Sequence, residues 1–196
     1  MPVKFSALAL GLTGVIALTH PLYASETSPS NQDQRVQEAR GLIKNYAGQL
    51  KTTLVHAIKT DGAIAAIDVC ARQAPEIALS LSEDSPWTIG RTSLKARNSG
   101  SAPDAWELTV MADFQKRLQA GEDIKTLDHQ ELTENGTVFR YMKAIPTGGL
   151  CLTCHGESIA PDLKHQILSF YPDDRATGFK AGDIRGAFTL QKDLSD

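Results

Sequence analysis

The chain has 196 residues, of which 20 are basic and 23 acidic, so its formal net charge at pH 7 is −3. This mildly acidic balance gives no reason to expect nucleic-acid binding. The length suits one domain with a full hydrophobic core and leaves little room for a second.

The first 24 residues have the pattern of a secretory signal peptide. Lys4 precedes a mostly apolar stretch from Phe5 to Leu18, and Pro21 to Ala24 supplies a helix break and a small residue for cleavage. The apolar stretch is short for a membrane span, and an uncleaved anchor is the alternative. We therefore predict cleavage after Ala24, a periplasmic location and no stable membrane span in the mature protein.

Helices are predicted for the first half of the mature chain. The polar residues 25–34 are predicted to form a flexible leader, followed by a single domain over residues 35–196. Apolar residues recur every three or four positions from Val36 to Ile58, which is typical of a long amphipathic helix that ends at Gly62. A second helical segment covers residues 63–71 and continues or restarts around Pro75. One face of that segment carries Ile64, Ile67 and Cys70.

Strands and one more helix are predicted for the second half. Asp104 is suited to cap the helix, and Glu134-Asn135-Gly136 is a hairpin turn between two strands. Because helices come first and the strands form a hairpin, the predicted fold class is α+β with an antiparallel sheet. The predicted elements are a strand at 87–93, a helix from 105 to about 120, and strands at 125–132, 137–145 and 184–190.

The residues Cys151-Leu152-Thr153-Cys154-His155 follow the hairpin and carry the clearest chemical signal. Two cysteines and a histidine at this spacing are what covalent attachment of a c-type haem requires: the thiols bond to the porphyrin and the imidazole binds the iron. The motif occurs once, which predicts one haem c per chain, with Cys151 and Cys154 as tethers and His155 as proximal ligand. The alternatives are a redox dithiol or disulfide, which needs no histidine, and a zinc site completed by Cys70 and His165.

Six separate segments of the chain, in the same order, are similar to a known family. They are residues 66–70, 89–98, 103–107, 141–145, 151–156 and 182–187. The family they resemble comprises c-type haem proteins with a PAS-like fold, which occur as free exported proteins and as input domains of sensory kinases. The resemblance implies N-terminal helices packed against a PAS-like antiparallel sheet, and it implies Cys70 as the distal ligand of the haem iron.

The residues alone leave other candidates for the distal position. A lone cysteine on an apolar helix face is usually a small buried hydrophobe, so Cys70 has rivals, of which His165 is the strongest. Arg91 and Lys95 lie in a segment that resembles the family, and we predict that they contact the haem propionates; Arg97 follows them, and a solvated charged strand face is the alternative. The other rivals for the distal position are Met111, Met142, His56 and His129.

The implied ligand pair leads to an expectation about function. A thiolate opposite a histidine stabilises ferric iron, so the haem is expected to be low-spin, six-coordinate and of low potential. We expect an exported redox or ligand sensor that needs a redox or signalling partner protein, with a small gas as a candidate ligand. A periplasmic electron-transfer cytochrome is the alternative. A peroxidase-like enzyme is disfavoured because Cys70 would close the distal site, so we expect no enzymatic activity.

Overall fold

The computed structural model describes residues 1–2, 30–133 and 135–195. The predicted signal peptide lies outside the described residues except for its first two, and so does the predicted cleavage site. Within the described ranges, no helix combines the length and the apolar character that crossing a bilayer requires.

The described chain forms five α-helices and four strands. Between α1 and α2 the helix widens into a π-helical turn at Val69–Gln73. The helices are α1 (Asn31–Asp68), α2 (Ala74–Glu83), α3 (Ala105–Gln119), α4 (Gly149–His155) and α5 (Pro161–Phe170). The strands are β1 (Trp87–Thr92), β2 (Asp128–Leu132), β3 (Val138–Pro146) and β4 (Ile184–Asp193).

Helix α1 begins four residues earlier than predicted. The hydroxyl of Ser30 accepts a hydrogen bond from the Asp33 backbone N–H at 3.2 Å, and the Asp33 carboxylate accepts one from the Ser30 backbone N–H at 3.2 Å. This reciprocal cap satisfies two backbone donors that a helix start leaves without partners. Residues 31–34 are therefore helical rather than part of the predicted flexible leader.

The predicted break at Gly62 is confirmed. Gly62 has φ 85° and ψ 173°, a backbone conformation that is not helical, so α1 consists of two helical stretches on either side of it. The second stretch presents a different face from the predicted one, because Ile67 is buried while Ile64 is 48% exposed.

The four strands form one antiparallel sheet in the order β1-β4-β3-β2, which confirms the predicted α+β class. Neighbouring residues of a strand point to opposite faces of the sheet. Accordingly, Tyr141 of β3 joins the core cluster that contains Val36 and Ile43 of α1, whereas Met142 joins the cluster that contains Phe114 of α3. The N-terminal helices thus pack on one face of the sheet and α3 on the other.

Replacing Gly62 by alanine should destabilise the protein, since the side chain would be forced into a positive-φ conformation at a cost of about 1–2 kcal/mol. Gly48→Ala, at an exposed site in the regular part of the same helix, should stabilise it by about 0.5–1 kcal/mol. Urea unfolding of both variants measures the difference. Equal effects of the two substitutions would contradict the break at Gly62.

Candidate functional site

Helix α4 starts almost directly after the end of β3 and carries the three motif residues. Cys151 and Cys154 are three positions apart and therefore lie on the same side of the helix. His155 is the last helical residue. All three side chains are partly buried.

Gly156 ends α4 in a position that only glycine fills easily. Its N–H donates to the carbonyl oxygen of Leu152 at 3.0 Å. A Cβ atom on residue 156 would lie 2.6 Å from that same oxygen, which is too close for any other residue without a shift of the backbone. The glycine after the histidine is thus explained by the tight helix end.

The imidazole of His155 is held in one tautomer. Its Nδ1 lies 2.7 Å from the carbonyl oxygen of Ala176. Because a carbonyl oxygen can only accept, Nδ1 carries the proton and Nε2 keeps a lone pair for a metal. Burial lowers the pKa of His155 to about 3, and the positive charges of Arg185 and Arg97 act in the same direction, so the ring is neutral near pH 7.

The segment after α5 also holds the backbone and the ring face of His155. The Phe179 backbone N–H donates to the carbonyl of His155 at 2.9 Å, and the Gly178 N–H donates to that of Gly156 at 3.0 Å. The rings of Phe179 and His155 meet edge to face, with centroids 6.3 Å apart and planes at 88°. The histidine is therefore fixed at its Nδ1, at its backbone and at its ring.

A buried ion pair supports this arrangement. The side chains of Arg97 and Asp174 are 8% and 2% exposed, and Nε of the arginine lies 3.1 Å from a carboxylate oxygen. The same guanidinium donates to the carbonyls of Cys154 and Ala176, and Asp174 accepts from the Ala176 N–H at 2.9 Å. The pair thus fixes the carbonyl that orients His155. Arg97 is therefore occupied by a protein carboxylate, and Asp174 was not predicted from the sequence.

Cys70 lies in the π-helical turn between α1 and α2. Pro75 has no N–H and its ring would clash with the carbonyl four residues earlier in a regular helix, which accounts for a widened turn at this point. The turn is held by the Ala74 N–H, which donates to the Val69 carbonyl, and by the Tyr46 hydroxyl, which donates to the Ala74 carbonyl at 3.0 Å. Single π turns inside α-helices are frequent at functional sites.

The structure places Cys70 close enough to Cys151 and Cys154 for their charges to interact. Burial raises the pKa of its thiol, while the charges of Arg91, Arg97 and Arg185 oppose that rise and the charge of Cys151 adds to it. The same three arginines act on His155. Cys70, Cys151 and Cys154 are all free thiols. Cys70 and His155 are therefore both within range of the same three guanidinium charges.

The rival distal ligands are core residues or are at least partly exposed. Met111 and Met142 are buried in the core between α3 and the sheet, as expected for core residues. His129 lies 3.7 Å from Glu131, and His56 and His165 are exposed. Within the described part of the chain, no three His, Cys, Asp or Glu side chains come together as metal ligands, so the zinc alternative gains no support there.

The two predicted cations differ in their environment. The guanidinium of Arg91 is partly buried and lies 5.5 Å from the ring centroid of Tyr46. The ammonium of Lys95 is on an exposed side chain, 5.1 Å from the centroid of Phe179 and 3.4 Å from the Thr177 carbonyl. Both border the site, Lys95 at its solvent-exposed side.

Arg185 belongs to the site but was not predicted as a site residue. Its guanidinium lies 5.2 Å from the centroid of Phe179 and donates through Nη1 to the Ser93 hydroxyl at 3.2 Å. Its buried Nε has no hydrogen-bond partner among the residues that the structure describes. The neighbouring Gly186 lets β4 approach β1, because a Cβ there would lie 2.5 Å from the carbonyl of Thr92. An arginine beside a glycine in an apolar strand is the signal that could have identified it.

The fold and the site define an α+β protein in which a Cys-x-x-Cys-His helix and a cysteine from the π turn between α1 and α2 share one cationic environment. The model of the Tll0287-like family matches residues 23–192, and the chain belongs to this family. The family resemblance inferred from the sequence segments is thus confirmed.

A solved structure described as that of the cyanobacterial haem protein Tll0287 is similar in fold. It is 24% identical to this chain, with a TM-score of 0.59, and the match covers 78% of this chain and 93% of that one. No curated protein matches the chain.

Replacing Arg97 by methionine should destabilise the protein by about 3–5 kcal/mol, because the buried carboxylate of Asp174 would lose its counter-ion. Arg72→Met is the matched control: it breaks the exposed Arg72–Asp68 pair, which is worth about 0.3–0.5 kcal/mol. Urea unfolding measures both. Similar small losses for the two variants would show that the Arg97–Asp174 pair does not hold the site together.

Proposed function

We propose that the protein is an exported protein that binds one haem c, attached covalently to Cys151 and Cys154, with His155 as proximal ligand and Cys70 as distal ligand. The observation that carries this proposal is the neutral imidazole of His155, which keeps Nε2 free for a metal beside two free thiols. A haem supplies a one-electron couple and an axial coordination position. We also propose that the protein has a cleaved signal peptide, is exported to the periplasm and has a PAS-like fold.

The donor set fits a haem better than it fits the alternatives. A dithiol needs no oriented histidine, whereas His155 is fixed at three points. A thiolate at Cys70 is favoured by the positive charges of Arg91, Arg97 and Arg185. We propose that these charges allow the buried thiol to lose its proton when it binds iron.

The two proposed axial residues lie in different local structures, which supports a sensory role. His155 is anchored by its ring nitrogen, its backbone carbonyl and a neighbouring ring. Cys70 lies in a π turn, a rare helical form that occurs mostly as a single turn inside α-helices. We propose that a change at the iron moves Cys70 and the π turn that carries it rather than the anchored histidine.

We propose on this basis that the protein is a redox or ligand sensor. Its signal would pass to a redox or signalling partner protein, and a small gas is a candidate ligand when Cys70 leaves. Enzymatic turnover is not part of the proposal, because Cys70 would occupy the position that a substrate needs.

Removing the two tethers should abolish covalent haem attachment. The wild type, exported in a host that matures c-type cytochromes, should keep its haem through denaturing electrophoresis, and Cys151→Ser/Cys154→Ser should lose it. Each single variant should retain one thioether bond, visible as a shifted α band in the alkaline pyridine spectrum. Cys70→Ala is the matched cysteine control and should keep the covalent haem. Haem that can be extracted from the wild type with acidified acetone would refute covalent attachment.

Replacing Cys70 should change the axial ligation without removing the haem. The ferric wild type should show the Soret and near-infrared features of thiolate ligation, and Cys70→Ala should lack them. His165→Ala and Met142→Leu are controls that should leave the spectrum unchanged, since His165 is exposed and Met142 is buried in the core between α3 and the sheet. An unchanged spectrum in Cys70→Ala would return that residue to the core and favour ordinary periplasmic electron transfer.

A further inference from the structure

The site contains more positive charge than its own carboxylates balance. Arg91, Arg97 and Arg185 are the three guanidiniums whose charges act on both His155 and Cys70. Arg97 is paired with Asp174. In the described ranges, neither Arg91 nor Arg185 takes part in an ion pair. Two positive charges of the site are therefore left over.

The environment of Arg185 is the less favourable of the two for a lone cation. Its Nε is buried without a partner in the described part of the chain, and its other contacts are a hydroxyl and an aromatic ring. Burial lowers the pKa of Arg185 to about 10, and the charges of Arg97 and Arg91 add to this effect. Burying a cation without a counter-ion is strongly unfavourable, so this side chain requires an anion.

We propose that Arg185, together with Arg91, forms a binding site for two carboxylates, the propionates of the haem. This inference rests on the proposed function. Guanidinium groups match carboxylates because their N–H groups can donate two parallel hydrogen bonds, and Arg185 offers an unused buried Nε for that purpose. The exposed ammonium of Lys95 is secondary, and Arg97 is committed to Asp174.

The charges support this assignment. A ferric iron, the dianionic porphyrin ring and one thiolate together carry no net charge, so the two propionates account for the whole negative charge of the bound group. Arg185 and Arg91 supply two positive charges that no carboxylate of the described chain neutralises. Apart from the solvent-exposed Lys95, the charges of the site therefore sum to zero with the haem in its ferric form, and reduction adds one negative charge.

The test is the reduction potential of the haem-loaded protein as a function of pH. In the wild type, both propionates should stay ionised, and the potential should vary little with pH where they would otherwise titrate. In Arg185→Met, one propionate loses its cation, so the added electron should raise its affinity for a proton. At low pH, where that propionate is protonated, the potential should approach the wild-type value; as pH rises, it should fall below the wild-type value.

Other titratable groups also surround the site, and they are the same in both proteins: Tyr46, Cys70, Lys95, His155, Tyr171 and Asp174. The difference between the two pH profiles therefore isolates Arg185. Arg35→Met is the matched control: Arg35 is also partly buried and lies over a ring, that of Phe139 at 5.7 Å, outside the site. Its profile should overlay that of the wild type.

Two more variants test the proposed propionate site. Arg185→Lys preserves the charge and should restore most of the wild-type profile, and Arg91→Met should show a pH-dependent fall like that of Arg185→Met. If Arg185→Met does not accumulate, the pH profile of the reduction potential of Arg91→Met decides whether the propionate site exists. Profiles of the methionine variants that run parallel to the wild type would overturn the propionate site while leaving haem attachment intact. A wild type without covalent haem would overturn the proposed function itself.

Discussion

The buried ion pair between Arg97 and Asp174 is the interaction on which the site depends. It joins the loop after β1 to the segment after α5, and its guanidinium also binds the carbonyl at the end of α4. Three separate parts of the chain therefore meet at two buried charges. A buried pair of this kind adds little net stability compared with apolar packing, but losing one partner leaves a charge that nothing compensates. Its main effect is to fix the geometry around His155.

The electrostatics of the site follow from this arrangement. One arginine is neutralised by the protein, and two more stand close enough to act on the same cysteine and histidine. Excess positive charge helps to keep the imidazole of His155 neutral, and at Cys70 it opposes the rise in the thiol pKa that burial causes. Repulsion between these like charges opposes folding, so binding of an anion at this site would stabilise the protein.

Local patterns predicted most of the fold. The helix end at Gly62, the cap of α3 at Asp104 and the hairpin before the motif depend on a few neighbouring residues, and each was found where expected. Helix α5 was not predicted, although Pro161 at its start and two buried residues four positions apart were visible. The chemical motif could be found from spacing alone. Asp174 could not, because its role arises from a contact with a residue 77 positions away.

The π turn at Cys70 has a consequence for how this site could have arisen. Such a turn holds one residue more than a regular helix needs, so inserting a single residue creates it and deleting one removes it. The helices on either side keep their packing in both cases, because the extra residue is absorbed locally. The helical run from α1 through the π turn into α2 can therefore gain or lose one residue at this point through one small genetic step, while the core that it forms with the sheet remains intact. Descendants of one scaffold could differ at this position and still share the rest of the architecture.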